Sequence, residues 1–394
     1  MYRVWIIVLV AGAICGCKQD RWIPDYLPMH NGYGLYGFME RDGDEVIGAQ
    51  FAYAMPFSGG LAAVNVGGTN TANGKIPIDG KWGFVNQYGQ FIINPNFYSP
   101  PVSGNPYDLD AFARAAHEAY LFSEGLAAVI HEHHWVYIDT LGNIKLELPN
   151  ARSCRMFTQG VACIYQNGKW GYINHEGEWM IEPQFLYPVN FRDSLAVVMD
   201  ARRQKIILRL DGKRILPQYR IETQFYEGAA TSRFNFRGEY VSAYDTRKFG
   251  LCDTGGRALF VPQFDDMGRF GSGMCPVLIG SKSGDPVLTP EVPGPEAYVG
   301  GKWGFVDRNG RIVFNPVYDG ARGYSEGFTA VKSGDLWGYM NEKGKMITGY
   351  EFEWADYFHE GMAWVRLGPQ HNDYRGRYAL IDDGGDVIWI EPEP

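Results

Sequence analysis

A Trp-Gly dipeptide returns along this chain inside nearly the same hexapeptide: Lys81-Trp82-Gly83-Phe84-Val85-Asn86, Lys169-Trp170-Gly171-Tyr172-Ile173-Asn174 and Lys302-Trp303-Gly304-Phe305-Val306-Asp307. Aligned on the Trp position, nine copies stand at Tyr36, Trp82, Trp135, Trp170, Lys205, Phe249, Trp303, Trp337 and Tyr378. Such a period constrains the fold before any local reading, because each copy is one module stacked on its neighbours. Residues that recur are therefore expected to serve packing. Function has to be sought where the copies differ.

Seven residues after the Trp position every copy has Gly, at 43, 89, 142, 177, 212, 256, 310, 344 and 385. Most copies open this connection with Asn86, Asp139, Asn174, Asp253, Asp307, Asn341 or Asp382. Asx with Gly three residues on predicts a short hairpin loop, Gly supplying the positive φ that other residues resist. Ten residues after the Trp position an aliphatic or Met side chain returns, Lys145 excepted, so the Trp strand pairs with a following apolar strand. A block reading aromatic-x-x-Gly-apolar-small-small-apolar supplies a third strand, as in Phe57 to Val64, Phe122 to Val129, Phe157 to Ile164, Phe270 to Val277, Tyr324 to Val331 and Phe358 to Val365. Alternation puts Trp and Phe of Trp-Gly-Phe on one face, and Gly is expected to leave room on the other for a neighbouring sheet. The stripe Trp82, Trp135, Trp170, Trp303 and Trp337, with Gly83, Gly171, Gly304 and Gly338, reads as repeat packing in preference to a sugar platform.

The expected fold is all-β: a tandem array over 31–394 of about nine three-stranded antiparallel units, forming a curved, open, solenoid-like stack. A closed or partial propeller-like ring is the alternative, although nine units exceed the usual four to eight blades. The Lys-Trp-Gly-aromatic-apolar-Asx runs, the turn Gly and the endings Pro95-Asn96-Phe97, Pro183-Gln184-Phe185, Pro262-Gln263-Phe264 and Pro316-Val317-Tyr318 resemble the WG-repeat family of bacterial proteins. The resemblance covers almost all of residues 33–390. It implies a β-repeat structure, often on secreted or surface proteins, and supplies no general catalytic residues. Lys205-Ile206-Ile207-Leu208, lacking both Trp and Gly, departs furthest.

Arg3 and the apolar run Val4 to Ile14 precede Ile14-Cys15-Gly16-Cys17. The run is too short for a spanning helix, which needs ~20 residues. The segment resembles a bacterial lipoprotein signal, with residues 1–16 removed, Cys17 lipidated beside the small Gly16, and 17–30 left as a tether. An ordinary secretory signal is the plainer reading. Hydrophobic content of 45% excludes a disordered chain. A formal charge of −9 argues against a nucleic-acid partner, which needs clustered Lys and Arg.

The copies differ in their connections. An Ala-rich insertion over about 98–121 has helical spacing. The slot between block and next Trp position swells at 65–81, 233–248, 278–302 and 366–377, and insertions in one slot of an array often build a binding surface. Two swellings carry the candidate binding residues Phe234, Phe236, Arg237 and Tyr240, and His371, Tyr374 and Arg375. Aromatic and Arg side chains are common interface anchors. Idle loops remain the other reading.

His131-Glu132-His133-His134 puts His131 and His133 on one face of a strand, a pair suited to zinc or copper, yet no Cys or carboxylate motif joins it. Cys252 and Cys275 read as small buried hydrophobes. Cys154 and Cys163 flank a turn, leaving a disulfide and two buried thiols both open. Glu124, Glu326 and Glu360 precede the block Gly and read as turn residues. No G-x-S-x-G, H-E-x-x-H or phosphate-cradling loop occurs, so neither enzyme activity nor a cofactor nor a metal is expected. The expectation is a monomeric, membrane-anchored envelope protein that binds a protein or glycan. The rivals are an envelope glycan hydrolase and a purely structural spacer.

Overall fold

The computed structural model describes residues 6–7, 26–30, 34–40, 44–69, 77, 79–99, 119–187, 189–217, 220–234, 248–281 and 300–390. They form an all-β protein of small antiparallel sheets, with a 3-10 helix at Pro369–Tyr374. Among the described residues no helix is long and apolar enough to cross a membrane. Cys17 and most of the insertion expected to be helical, residues 100–118, lie outside the described residues.

One sheet shows the logic of the repeat. Strands β1 (Tyr53–Ser58), β2 (Leu61–Val66), β3 (Lys81–Val85) and β4 (Phe91–Phe97) lie in that order. The block is thus a hairpin rather than one strand, and it precedes the Trp strand in its sheet. Four strands replace the expected three here, at Ser153–Phe185 and at Asp266–Tyr318, while the sheets at Leu126–Leu148, Leu195–Ile215 and Arg220–Asp253 have three. The cause is a two-residue turn at the block Gly. Gly59 and Gly60 have φ of 60° and 83°, and Ser58 pairs with Leu61 across them. Such a turn matches the twist of the strands it joins.

The Trp-Gly and Pro-x-aromatic signals belong to one device. Trp82 pairs with Phe97 and Phe84 with Ile93, so a bulge in β4 stands opposite Gly83. A Cβ on Gly83 would lie 2.7 Å from the Ile93 carbonyl oxygen and 2.8 Å from the Pro95 nitrogen. Gly171 and Gly304 meet the same obstacle in Pro183 and Pro316. The glycine therefore admits the bulge of its own sheet, not a neighbouring sheet as expected. Proline fits there because a bulged residue donates no ladder hydrogen bond.

Consecutive copies lock through the turn glycines. A Cβ on Gly89 would meet Ile47 at 3.1 Å, one on Gly142 would meet Ile93 at 3.2 Å, and one on Gly310 would meet Phe260 at 2.8 Å. Each seat is the residue eleven after the preceding Trp position. The neighbouring aliphatic position faces outward instead: Ile92, Met180 and Val313 are about half exposed. A second lock joins the block turns. Glu124 accepts from the amide of Gly160, and Glu326 accepts from those of Glu360 and Gly361 at 3.0 and 2.8 Å. Ser325 Oγ donates to the Phe358 carbonyl.

The chain divides into two compact units, residues 1–192 with 198–204 and 391–394, and residues 193–197 with 205–390. The first has one continuous core running from Tyr36 to Ile173. Its Trp82, 0% exposed, meets Tyr53 edge-on and packs at a tilt against Tyr120. The second has several clusters, built around Trp303, Trp337 and Phe249. It ends in a seven-stranded sheet: β5 (Gly320–Ala321), β6 (Phe328–Ser333), β7 (Leu336–Asn341), β8 (Phe352–Ala355), β9 (Met362–Leu367), β10 (Tyr378–Asp382) and β11 (Val387–Ile390).

Candidate functional site

The loop between β9 and β10 carries His371, Tyr374 and Arg375 beside this last sheet. Proline at its start and the Gly376 amide, which donates to the Leu367 carbonyl, hold the loop as a tight 3-10 turn. The His371 ring stacks parallel to Phe352 at 6.1 Å, and its Nε2 lies 3.3 Å from a Glu351 carboxylate oxygen. Arg375 Nε donates to Glu353 at 3.0 Å, and Arg366 Nε lies 3.6 Å from the other Glu353 oxygen. Tyr374 is 46% exposed, with the Arg377 guanidinium 5.3 Å over its ring. Of the other loop candidates, Phe234 ends the strand Ala229–Phe234, while Phe236, Arg237 and Tyr240 lie outside the described residues.

The face of the sheet that carries Arg366, whose Nε donates to the Gly376 carbonyl of the loop at 2.9 Å, is rich in part-exposed aromatic side chains. Trp354 pairs with Arg366, which pairs with Tyr378; Trp364 pairs with Leu380, which pairs with Trp389. Trp354 meets Tyr378 edge-on at 6.1 Å and Trp364 meets Trp389 at 5.8 Å. In other copies the Trp364 slot holds Ala63, Ala128, Cys163 or Ala330, all buried.

A row of alternating rings and cations leads to Trp354. The Arg269 guanidinium lies 4.6 Å from the Tyr226 ring centre and 4.5 Å from that of Tyr357. Arg322 lies 5.6 Å from Tyr357, 5.7 Å from Trp354 and 5.4 Å from Trp337. The row was not legible as a site, because its members come from four copies. Its one sequence signal is Arg269 and Arg322 standing just before a block aromatic, where the first copy has Met55 and Pro56. Below it, burial drives the Tyr339 hydroxyl far above the ordinary phenol range, with Arg322 opposing the shift and Asp356 adding to it.

The histidine cluster is not a strand face. Glu132 and His133, with φ of 46° and 69°, are the central residues of a two-residue turn, so His131 and His133 do not alternate on one side. The His133 ring packs on Tyr98 at 4.9 Å, and His131 meets Phe97. No group of three or more His, Cys, Asp or Glu able to hold a metal gathers among the described residues. Cys154 and Cys163 are buried and not joined in a disulfide. Cys154 pairs with Ile164, so its neighbour Cys163 projects to the other face of the hairpin. Burial pushes the Cys154 thiol well above its ordinary range. A polar cleft in the first unit is lined by Asn150, Arg152, Gln166, Asn167 and Gly168.

The WG containing repeat model matches residues 36–69, 135–170, 170–200, 249–282, 303–337 and 337–368, together just over half of the chain. No curated protein matches. Among solved structures, the eukaryotic initiation factor is 10% identical over 96% of this chain and 88% of its own, with a TM-score of 0.41. The computationally designed Ika8 protein is 11% identical over 69% and 86%, with a TM-score of 0.39. The β-propeller domain of the Trilobed protease from Pyrococcus furiosus is 11% identical over 88% and 98%, with a TM-score of 0.34. Similarity this low supports no argument about arrangement or activity.

Proposed function

Since this chain belongs to the WG-containing repeat family, we propose that it is a lipid-anchored protein of the cell envelope, held through Cys17, whose repeats scaffold a surface that binds a protein or glycan partner. The observation that carries the reading is the division of labour among residues. The recurring Trp, Gly, Pro and Ser-Glu-Gly positions are consumed by bulges, turns and copy-to-copy locks. What is left for recognition is the variable face formed by the 369–377 loop with Trp354, Trp364, Tyr378 and Trp389. Such a mixture of part-exposed aromatics and arginines suits interface anchors.

We read the array as an open stack acting as a monomer. Within each unit the turn glycines seat on the immediately preceding copy, and this suffices to propagate a stack. The test is affinity capture from the native envelope with the wild-type chain and with a chain whose 369–377 loop is shortened to a two-residue turn. Loss of partners on shortening supports the reading. Capture of the same partners by both chains favours a structural spacer and overturns it.

A further inference from the structure

We propose that the polar cleft of the first unit binds a uronic-acid unit of a glycan, its carboxylate held by Arg152 and by the turn amide of Asn167. The site belongs to the first unit and does not depend on the 369–377 loop. Five residues before the block aromatic, Arg152, Asp265 and Asp319 hold one backbone place. Their amides donate to the carbonyls of Tyr165, Leu278 and Lys332, each eight residues after that aromatic. In the two aspartate copies the carboxylate has a fixed task. Asp319 accepts from the Gly334 amide at 2.8 Å and pairs with Lys302, and Asp265 accepts from the Ser281 amide at 2.8 Å and pairs with Lys248. Where the place is Ala52 or Leu186, Asn65 and Asp200 in the connection itself accept from its amides.

Arginine at 152 reverses that chemistry. Asn167 stands where Gly334 does, three residues before Trp, with φ of 52° against 60°. Its amide meets no acceptor and Arg152 no carboxylate among the described residues. His134, the counterpart of Lys302, pairs instead with Glu147 at 3.9 Å. The result is an open cleft of about 520 Å³ lined by Asn150, Arg152, Gln166, Asn167 and Gly168, a size that suits a small ligand. Asn150, Arg152, Asn167 and Gly168 are exposed, so a ligand reaches their donors from solvent. A guanidinium matches a carboxylate through two parallel hydrogen bonds, and a carboxylate is what aspartate supplies at this place in other copies. The side-chain amides of Asn150, Gln166 and Asn167 both donate and accept, as the hydroxyls beside a uronate carboxylate require. The lining offers no apolar side chain to a peptide anchor.

The experiment titrates the full chain with digalacturonate, with its dimethyl ester and with glucose 6-phosphate, and follows hydrogen exchange at the Asn167 amide. The acid should bind about tenfold or more tightly than the ester, which keeps the hydroxyls and loses the charge, and it should slow exchange at Asn167. Arg152→Gln should abolish that preference and leave the melting temperature unchanged, because the side chain is exposed. Arg152→Asp gives this place the carboxylate that Asp319 has, so it should protect the Asn167 amide with no ligand present and bind no acid. Failure of the acid to bind, equal affinity for acid and ester, acid binding unchanged in Arg152→Gln, or tighter binding of the phosphate overturns the proposal. An Asn167 amide left unprotected by Arg152→Asp also overturns it, since the place would then not be that of Asp319. None of these results depends on the loop, so capture with the shortened 369–377 chain still judges the reading above by itself.

Discussion

Replacing a turn glycine isolates the contact that joins one copy to the next. Gly310 and Gly212 both lie at positive φ, +77° and +81°. Alanine at either position takes on the left-handed backbone cost of about 1–2 kcal/mol. At Gly212 a Cβ meets nothing within 4 Å; at Gly310 it would lie 2.8 Å from Phe260 Cγ and 3.0 Å from each Cδ. Overpacking of that kind costs typically 1–3 kcal/mol. Gly212→Ala should therefore lower stability by about 1–2 kcal/mol and Gly310→Ala by about 2–5 kcal/mol. Urea denaturation followed by intrinsic fluorescence measures both. In a Phe260→Ala background the penalty at 310 should fall to the value at 212, a coupling that a double-mutant cycle reads directly. Equal penalties in the native background, or no coupling to Phe260, would refute the seat-and-turn account of copy packing.

Glu326→Ala removes two charge-assisted hydrogen bonds to the next turn and should cost about 1–2 kcal/mol, softened because water reaches that edge; hydrogen exchange at the Glu360 and Gly361 amides should rise with it. Burial raises the Tyr36 phenol to about 12, so the folded chain keeps a proton that the unfolded chain releases near the ordinary value of 10. That contribution is whole below pH 10 and falls between pH 10 and 12; denaturation midpoints across that range should decline, and less steeply in Tyr36→Phe. Hydrogen bonding from Lys302, joined by the Gly334 amide, holds the Asp319 carboxyl below its ordinary range. Its stabilisation is present above the ordinary carboxylate value and is lost as pH falls through the lowered one, so Asp319→Asn should flatten the acid limb of the stability profile. Cys17→Ser should move the chain from the membrane fraction to the soluble one and abolish labelling by a fatty-acid analogue.

The repeat, its β character and its turn chemistry were readable because each rests on a local rule. Asn86 and Gly89 define their own loop: Asn86 Oδ1 accepts from the amides of Tyr88 and Gln90 at 3.0 Å, and Gly89 takes the positive φ. Ser-Glu-Gly was likewise legible as a turn, though not as a clamp on the next copy. The partner of Gly83 was misread, because a bulge depends on register and register is a property of two strands. The face of the following strand was blurred for the same reason: two adjacent apolar residues, Ile92 and Ile93, differ only in which one the bulge turns inward. The binding candidates of the 369–377 loop were visible as an insertion. The Tyr226–Arg269–Tyr357–Arg322–Trp354 row was hidden, since stacking across copies leaves no spacing along the chain.

The central claim separates residues that hold the array from residues that bind, and one paired measurement addresses it. Melting temperature and envelope capture are recorded for Gly310→Ala and Trp303→Leu on one side, and for Tyr374→Ala and Arg375→Ala on the other. The account predicts that the first pair loses stability yet captures partners normally when assayed well below its transition, while the second pair melts like wild type and captures poorly. Poor capture by the folded packing variants, with full capture by the loop variants, would contradict it.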